Sequence, residues 1–526
     1  MVEEGQNLSE LPDIGDDLAE KIAVILDTGT LPLLEDLEDE INPAMADLME
    51  IPGLGPNRVR MLHEVVGVST VDELKAAAEA GKIRTVEGFG EKIERNFLDG
   101  LMEAGKAKRW LRSRAEPVVS SLVDYLSRHD DVERVEVAGS YRRRRETVGD
   151  LDILAISNDG GAVVEHLVAY EDAVDVASKG DTQSTVRLRS GLQVDLRVVP
   201  HESYRAALVY FTGSKAHNVA LRKRAVGRSL KVNEYGVFDT KTGQKRIAGE
   251  TEESVYETLD LPYIGPELRE DRGEIIAAEK GTLPSLVRGE NFRGNLHTHT
   301  TDSDGRHSLR EMAEAAKERG MEYLAILDHS PAVAVAQGLS EDDLRRQMDA
   351  IDALNDELDD LRLVKSIEVD ILSDGTLDLP DDVLDDLDFC VCAVHTSLNL
   401  SQAKLTERIL RAMDNPNFTI LAHPTGRRIN ERGPMALNLD RIMEAAVERG
   451  CYLELNAQPE RPDLDDVLCR RGKDIGLMVA ISADAYSRDD LDLLTYGVDQ
   501  ARRGWLEPDD VLNIKTWPEL ARLFAS

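Results

Sequence analysis

From residue 293 onward, short apolar runs recur, each followed by a helical pattern, and each ends in a histidine or a carboxylate. In order they are NLHTH (His297, His299), AILDHS (His329), SIEVDI (Glu368), CAVHTS (His395), LAHPTG (His423), YLELNA (Glu454) and AISADAY (Asp484). Seven strand ends presenting Asp, Glu or His are what a parallel (β/α)7 barrel requires if its site lies at the C-terminal face of the strands. Six of the eleven histidines, His297, His299, His307, His329, His395 and His423, fall within this stretch. On a strand, a spacing of two puts His297 and His299 on one face, close enough to grip a single ion. One such histidine alone reads as a hydrogen-bonded core residue, whereas the set reads as a metal cluster, with Asp304 following in the loop of GNLHTHTTDSDG.

A second constellation lies in VAGSYRRRRETVGDLDILAIS, where Gly139 and Ser140 form a turn, four arginines follow, and Asp150 and Asp152 sit two apart at the head of a strand. Two carboxylates on one strand face repel each other and are tolerated where divalent cations bind them. Asp195 interrupts a third apolar strand, LQVDLRVVP. Three such carboxylates around two magnesium ions form the clamp that in-line phosphoryl or nucleotidyl transfer needs.

Residues 1–105 read as short helices joined by glycine turns. Three of these turns are alike: LPDIGDDLAEKI at 11, IPGLGPNRVRML at 51 and VEGFGEKIERNF at 86. Glycine supplies the positive-φ turn, and the N–H groups at the start of the following helix can hold a phosphate. A basic helix is expected at 106–114 (KAKRWLRSR), an α/β domain at 132–238, and a partly ordered linker in the acidic, Pro- and Gly-punctuated stretch around LDLPYIGPELREDRGEI.

The order of these features closely resembles the family X, beta-like DNA polymerases of the bacterial and archaeal type that carry a C-terminal PHP (polymerase and histidinol phosphatase) domain. The resemblance rests on G-S, then G-D-x-D, then a strand aspartate, then YFTGSKAHN and LKVNEYGVF, and finally LHTHTTDSDG with its strand ends. It implies a multidomain chain: a truncated N-terminal helix-hairpin-helix subdomain at 1–40, a helical DNA-binding region at 41–115, a nucleotidyltransferase palm and thumb at 116–240, a linker at 241–292, and a distorted TIM-like PHP barrel at 293–526. The short N-terminus leaves 5′-phosphate recognition incomplete in this reading, with Lys21 the nearest candidate for a lyase lysine.

The resemblance further implies that Asp150, Asp152 and Asp195 hold Mg2+ or Mn2+ at the polymerase site. Gly139, Ser140 and Arg143 would hold the triphosphate. Tyr210, Phe211 and Gly213 would border the sugar, Asn218 would reach the base's minor-groove edge, and Arg222 the templating side. Gly53, Gly55, Gly88 and Gly90 would contact DNA phosphates. Two to three Mn2+, Zn2+ or Fe2+ ions would bind in the PHP domain. One site would be His297, His299, Glu368 and Asp484; a second Glu368, His395 and His423; and a third Asp304, His329 and a further histidine. Tyr486 stands where that histidine is expected, and His307 is the only compensating residue in view. The implied activity is gap-filling synthesis in DNA repair with 3′-5′ exonuclease trimming. The alternative is a DNA-end-binding polymerase whose PHP domain binds metal but hydrolyses weakly. Gapped or primed DNA and dNTPs are the expected partners of a monomer.

The formal charge of −37 argues at first sight against nucleic acid. Asp and Glu are spread along the whole chain, however, and aromatic residues are scarce. This favours the solvated coat of a halophile's cytoplasmic protein over an acidic docking face. Three basic runs, KAKRWLRSR, YRRRRE and KAHNVALRKRAVGRSLK, are where DNA or triphosphate would be expected to lie. No apolar run is long enough for a membrane span and no secretory signal precedes the first turn. Cys390, Cys392, Cys451 and Cys469 lack zinc-type spacing and read as reduced core thiols.

Overall fold

The structure, a computed structural model, describes residues 56–68, 71–86, 89–90, 109–243 and 245–525. It divides into two compact units, Met1–Lys108 and Arg109–Ser526. In the first, helices Pro56–Val66 and Val71–Glu79 share a small core of Val59, Leu62, Leu74, Ala78, Ile83 and Phe89. Proline opens the first helix, where its missing N–H is harmless. Gly81, at φ 66°, closes the second, with Lys82 N bonding to Ala77 O and Gly81 N to Ala78 O. The first glycine turn, Lys21, Gly53, Gly55 and Gly88 lie outside the described residues. Gly90 is exposed.

The second unit opens with a five-stranded sheet in the order Arg134–Val137, Asp150–Ile156, Gln193–Val199, Gln183–Leu188, Ala173–Lys179. Only the pair Asp150–Ile156 and Gln193–Val199 is parallel. Alternation assigns the faces: Leu151, Ile153 and Ala155 pack with helices Arg112–Ser127 and Gly160–Val168, while Leu154 and Ile156 pack with helix Tyr204–Thr212. Asp150 and Asp152 continue this second face at the head of the strand.

The next segment corrects the expected linker at 241–292. Strands Leu230–Asn233, Gly236–Asp239 and Lys245–Ala248 form an antiparallel sheet. Val255, Tyr256, Leu259, Leu261, Ile264 and Leu268 pack beneath it in one buried cluster with Leu221 and Ala225. Charge and punctuation misled because the charges are themselves internal. Arg269 is fully buried, donates to Ile264 O and Glu252, and lies near the rings of Tyr256 and Tyr263.

In the remainder, the parallel strands Gly294–Asn295, Tyr323–Ile326 and Arg362–Lys365 form one sheet. Glu368–Asp370, Val391–Ala393, Ile420–Leu421, Tyr452–Asn456 and Val479–Ser482 form another. Two parallel bridges, Thr298 to Ala485 and His329 to Glu368, join their ends. Alternate strand residues feed two cores. Tyr323, Ala325, Val364, Val391 and Ala480 form one, against Trp517 and Phe524; Leu324, Ile326, Leu363, Cys392 and Leu453 join the helices in the other. All four cysteines are free and buried.

The basic run at 106–114 is also corrected in its described part, 109–114, with 106–108 lying outside the described residues. Trp110–Leu111 is a strand paired with Thr147–Val148, and the helix begins only at Arg112. Arg112 is buried against Asp499 at 2.5 Å, and Arg114 pairs with Glu460. Among YRRRRE, Arg142 pairs with Glu252, Arg143 and Arg145 with Glu270, and Arg144 with Asp499. Much of the expected DNA-facing charge is therefore engaged with carboxylates. Lys215, Arg222 and Lys223 remain exposed on helix Lys215–Gly227.

Candidate functional site

Two clusters of titratable side chains stand apart in chemistry. In the first, the parallel register sets Asp152 directly beside Asp195, with Asp150 two residues along the same face. Asp195 is oriented by Thr185 Oγ1 at 2.5 Å and Gln193 Nε2 at 2.9 Å. Burial, then the charges of Asp150 and Asp195, push the Asp152 carboxyl up to about 7. Asp150 is raised by burial and by Asp195. The charged forms of these carboxylates thus disfavour one another, and a cation between them would relieve this.

Gly139 is required at this site. Its φ is +58°, and a Cβ there would lie 1.9 Å from Asp152 Oδ2. The neighbouring Ser140 Oγ is buried without a hydrogen-bond partner. Arg143 approaches from the same short helix, Gly139–Arg142 and its cap, but is held: Nε donates to Glu270 at 3.0 Å and Nη1 to Thr212 O at 2.6 Å. Gly213 permits that approach, since a Cβ there would lie 3.2 Å from Arg143 Nη1.

Tyr210 and Phe211 meet edge to face at 5.3 Å, and Phe211 also packs against the sheet's second core. Asn218 Nδ2 donates to Tyr210 O at 2.6 Å, and Arg222 Nε to Asn218 O at 3.3 Å. The structure thus joins Tyr210, Phe211, Asn218 and Arg222 in one local arrangement.

The second cluster gathers the strand ends. His297 Nε2 lies 3.4 Å from Glu368 and 3.7 Å from Asp484. His299 Nε2 lies 3.3 Å from Asp484 and its Nδ1 3.8 Å from Asp304. His329, His395 and His423 all approach Glu368, at 3.1, 3.4 and 2.9 Å. Three groups have ligand atoms close enough for one ion: His297, His299 and Asp484; His299, Asp304 and His329; His329, Glu368 and His395. These overlap the expected sets but differ in partition, with His299 standing beside Asp304 and His329 where a further histidine was sought.

The donor atoms fit divalent cations. His297 Nε2, both ring nitrogens of His299, His329 Nδ1 and Asp484 Oδ1 are buried without hydrogen-bond partners, a state that polar atoms avoid unless a ligand completes them. Burial opposes charge at His297, but Glu454, Asp484 and Glu368 outweigh it and hold its pKa well above the ordinary value. Glu368 is likewise held well below the carboxylate range, against burial, by His329, His297 and His395. Protons and cations therefore compete for the same atoms.

Several residues here were not given roles from sequence. Glu454 accepts from His423 N and pairs with His297 Nδ1, both at 2.7 Å, and Asp370 pairs with His395 Nδ1 at 3.1 Å. The ring contacts orient His297 and His395, and the main-chain contact holds the strand end at His423. Asp328 accepts from Thr300 N and Oγ1, Ser303 Oγ and Gln347 Nε2, pinning the loop after His299. Strand position hinted at Glu454, and adjacency to ligands at Asp370 and Asp328.

Arg461 had no sequence signal. Its Nη2 lies 2.6 Å from Asp484 Oδ2 and donates to Tyr486 Oη at 3.1 Å. Tyr486 stacks on His299 with ring centroids 4.4 Å apart at 11°. Burial pushes its phenol well above the usual value, so it stays protonated. His307 Nδ1 accepts from Arg488 N at 3.4 Å and belongs to none of the ligand groups among the described residues.

Residues 45–103 match the SAM-like helix-hairpin-helix tandem, 207–270 the DNA polymerase beta thumb and 295–458 the PHP domain. The chain is 36% identical over 523 residues to the DNA polymerase/3′-5′ exonuclease PolX of Bacillus subtilis, covering 98% of this chain and 91% of that protein. It is 26% identical over 294 residues to DNA polymerase lambda of Rattus norvegicus, half of this chain and 48% of that one. It is 25% identical over 230 residues to a probable phosphatase of Thermoanaerobacter sp., 42% of this chain and 89% of that one. Among the described residues, no helix is long and apolar enough to cross a membrane.

Proposed function

Because this chain belongs to the family X DNA polymerases, we propose that it extends primer ends on gapped DNA from dNTPs at the aspartate cluster and shortens 3′ ends at the histidine cluster. The observation that carries the first half is the lateral pairing of Asp152 with Asp195, with Asp150 on the same face. These three residues would hold Mg2+ or Mn2+, and a pair of such ions supplies the positive charge that in-line displacement at phosphorus needs. Ser140 Oγ, buried and unpartnered, donates to a phosphate oxygen of the incoming nucleotide. Arg143 exchanges Glu270 for the triphosphate, Tyr210, Phe211 and Gly213 border its sugar, and Asn218 and Arg222 face the base pair. Gly53, Gly55, Gly88 and Gly90 contact DNA phosphates.

In the PHP domain, His297, His299, Asp304, His329, Glu368, His395, His423 and Asp484 would hold two to three Mn2+, Zn2+ or Fe2+ ions, whose chemistry there is activation of water for phosphodiester hydrolysis. Glu454 and Asp370 keep the imidazoles in register. A second reading, in which this domain binds metal but hydrolyses weakly, is favoured by one observation: the Tyr486 ring, and not an imidazole, stacks on His299. The protein acts as a cytoplasmic monomer in a salt-rich cell, where fitted Arg contacts and hairpin N–H groups replace counterion release.

The test is primer extension on gapped DNA in molar KCl. Asp195→Asn should reduce extension to background with the melting temperature retained, and undiminished extension would refute the assignment.

A further inference from the structure

Glu270 is shared across the polymerase and PHP domains. Its Oε1 accepts from Arg143 Nε at 3.0 Å and from Arg503 Nη1 at 3.1 Å, while Arg145 lies 3.5 Å from Oε2. Arg503 ends helix Leu494–Arg503 of the PHP domain. Its Nη1 also donates to the carbonyl of Arg143 at 2.7 Å, and its Nη2 pairs with Asp466, itself paired with Arg272 at 2.9 Å. Arg143, Arg503 and Glu270 side chains are 11, 3 and 9% exposed, so these contacts are little screened by water.

The group holds four guanidiniums, those of Arg143, Arg145, Arg272 and Arg503, against the two carboxylates of Glu270 and Asp466. A buried carboxylate with one guanidinium partner binds it tightly. A second guanidinium on the same oxygen divides that attraction and repels the first. Close by, Arg427 of the PHP domain grips Glu146 with two bonds at 2.9 and 2.7 Å, three residues beyond Arg143.

We propose that Arg503 is a positioning residue for nucleotide binding: by sharing Glu270 and holding the Arg143 carbonyl, it keeps Arg143 available to the triphosphate and makes dNTP affinity depend on the docked PHP domain. This rests on the reading of Arg143 as a triphosphate contact. Without Arg503, Oε1 of Glu270 is left to Arg143 alone, with only the longer Arg145 contact on Oε2, and the carboxylate competes more strongly with the nucleotide for Arg143.

The test is steady-state extension and 3′ shortening by the full chain, with melting temperatures. Arg503→Gln should raise KM for dNTP roughly tenfold with kcat changed less than about twofold, and leave shortening unchanged. Arg503→Lys should recover part of the loss. The double variant Arg503→Gln/Glu270→Gln should return KM to within about threefold, because the competing charge is gone. An unchanged KM in Arg503→Gln, or no recovery in the double variant, overturns the proposal. If Arg503→Gln does not fold, Glu270→Gln alone decides: KM should fall or hold, and a rise overturns it. Arg143→Gln separates the levels. If it leaves KM unchanged, the triphosphate reading fails and the proposal with it. If it raises KM while Arg503→Gln does not, only the proposal fails.

Discussion

Replacing Asp152 by Asn should stabilise the metal-free protein and abolish synthesis. The Asp152 carboxyl is raised from 3.8 to about 7 by burial and by Asp150 and Asp195. Each unit corresponds to roughly 1.4 kcal/mol, so its ionised form costs the fold about 4 kcal/mol once the pH exceeds about 7. The sign follows from proton binding: the folded state holds this proton more tightly than the unfolded state. The contribution is thus fully favourable below about pH 4 and is lost as pH rises towards about 7. Thermal melting with a chelator should therefore show Asp152→Asn above wild type by several degrees at pH 8.5, with the gap shrinking by about half at pH 5.5. Adding Mg2+ should raise the wild-type melting temperature more than that of the variant. A gap that is independent of pH, or that widens towards acid, would refute the reasoning, because it would mean that Asp152 is not a buried carboxylate strained by its neighbours.

Gly139→Ala places a methyl group on Asp152 Oδ2 and should reduce extension by at least about 100-fold while 3′ shortening is kept, as single-turnover assays of both reactions would show. Glu454→Gln removes the carboxylate that orients the His297 ring and holds the His423 backbone N–H, and should weaken metal binding in the PHP domain by about 10- to 100-fold, measured by metal titration of the full chain. Tyr486→His replaces a protonated phenol beside His299 with an imidazole and should raise the bound-metal count by one in elemental analysis. An unchanged count would mean that His299, Asp304 and His329 already complete that site.

Period-two spacing on a strand made Asp150 and Asp152 legible, and the apolar run around Asp195 marked it as a polar interruption of a strand. The parallel register that sets Asp195 beside Asp152 follows from pairing, which one sequence does not contain. The histidine strand ends were legible for the same reason, since a polar residue terminating a buried run must meet others like it. What escaped was charge satisfied at long range. Arg112 and Arg143 read as a DNA- or triphosphate-facing surface until Asp499 and Glu270 are seen opposite them. Arg269 concealed a packed core in the same way, because a guanidinium among carboxylates and tyrosines looks like linker composition. Arg461 carried no periodic signal at all and is defined only by Asp484 and Tyr486.

The central claim, that one chain builds and trims DNA ends at two independent metal sites, is tested most directly on a gapped duplex with a labelled primer. Wild type, Asp150→Ala and His297→Ala would be compared in molar KCl with Mg2+ or Mn2+, with and without dNTPs. Extension should be lost only in Asp150→Ala and shortening only in His297→Ala. Loss of both reactions in either variant would contradict the independence of the two sites, and extension with no shortening in the wild type would contradict a working nuclease in the PHP domain.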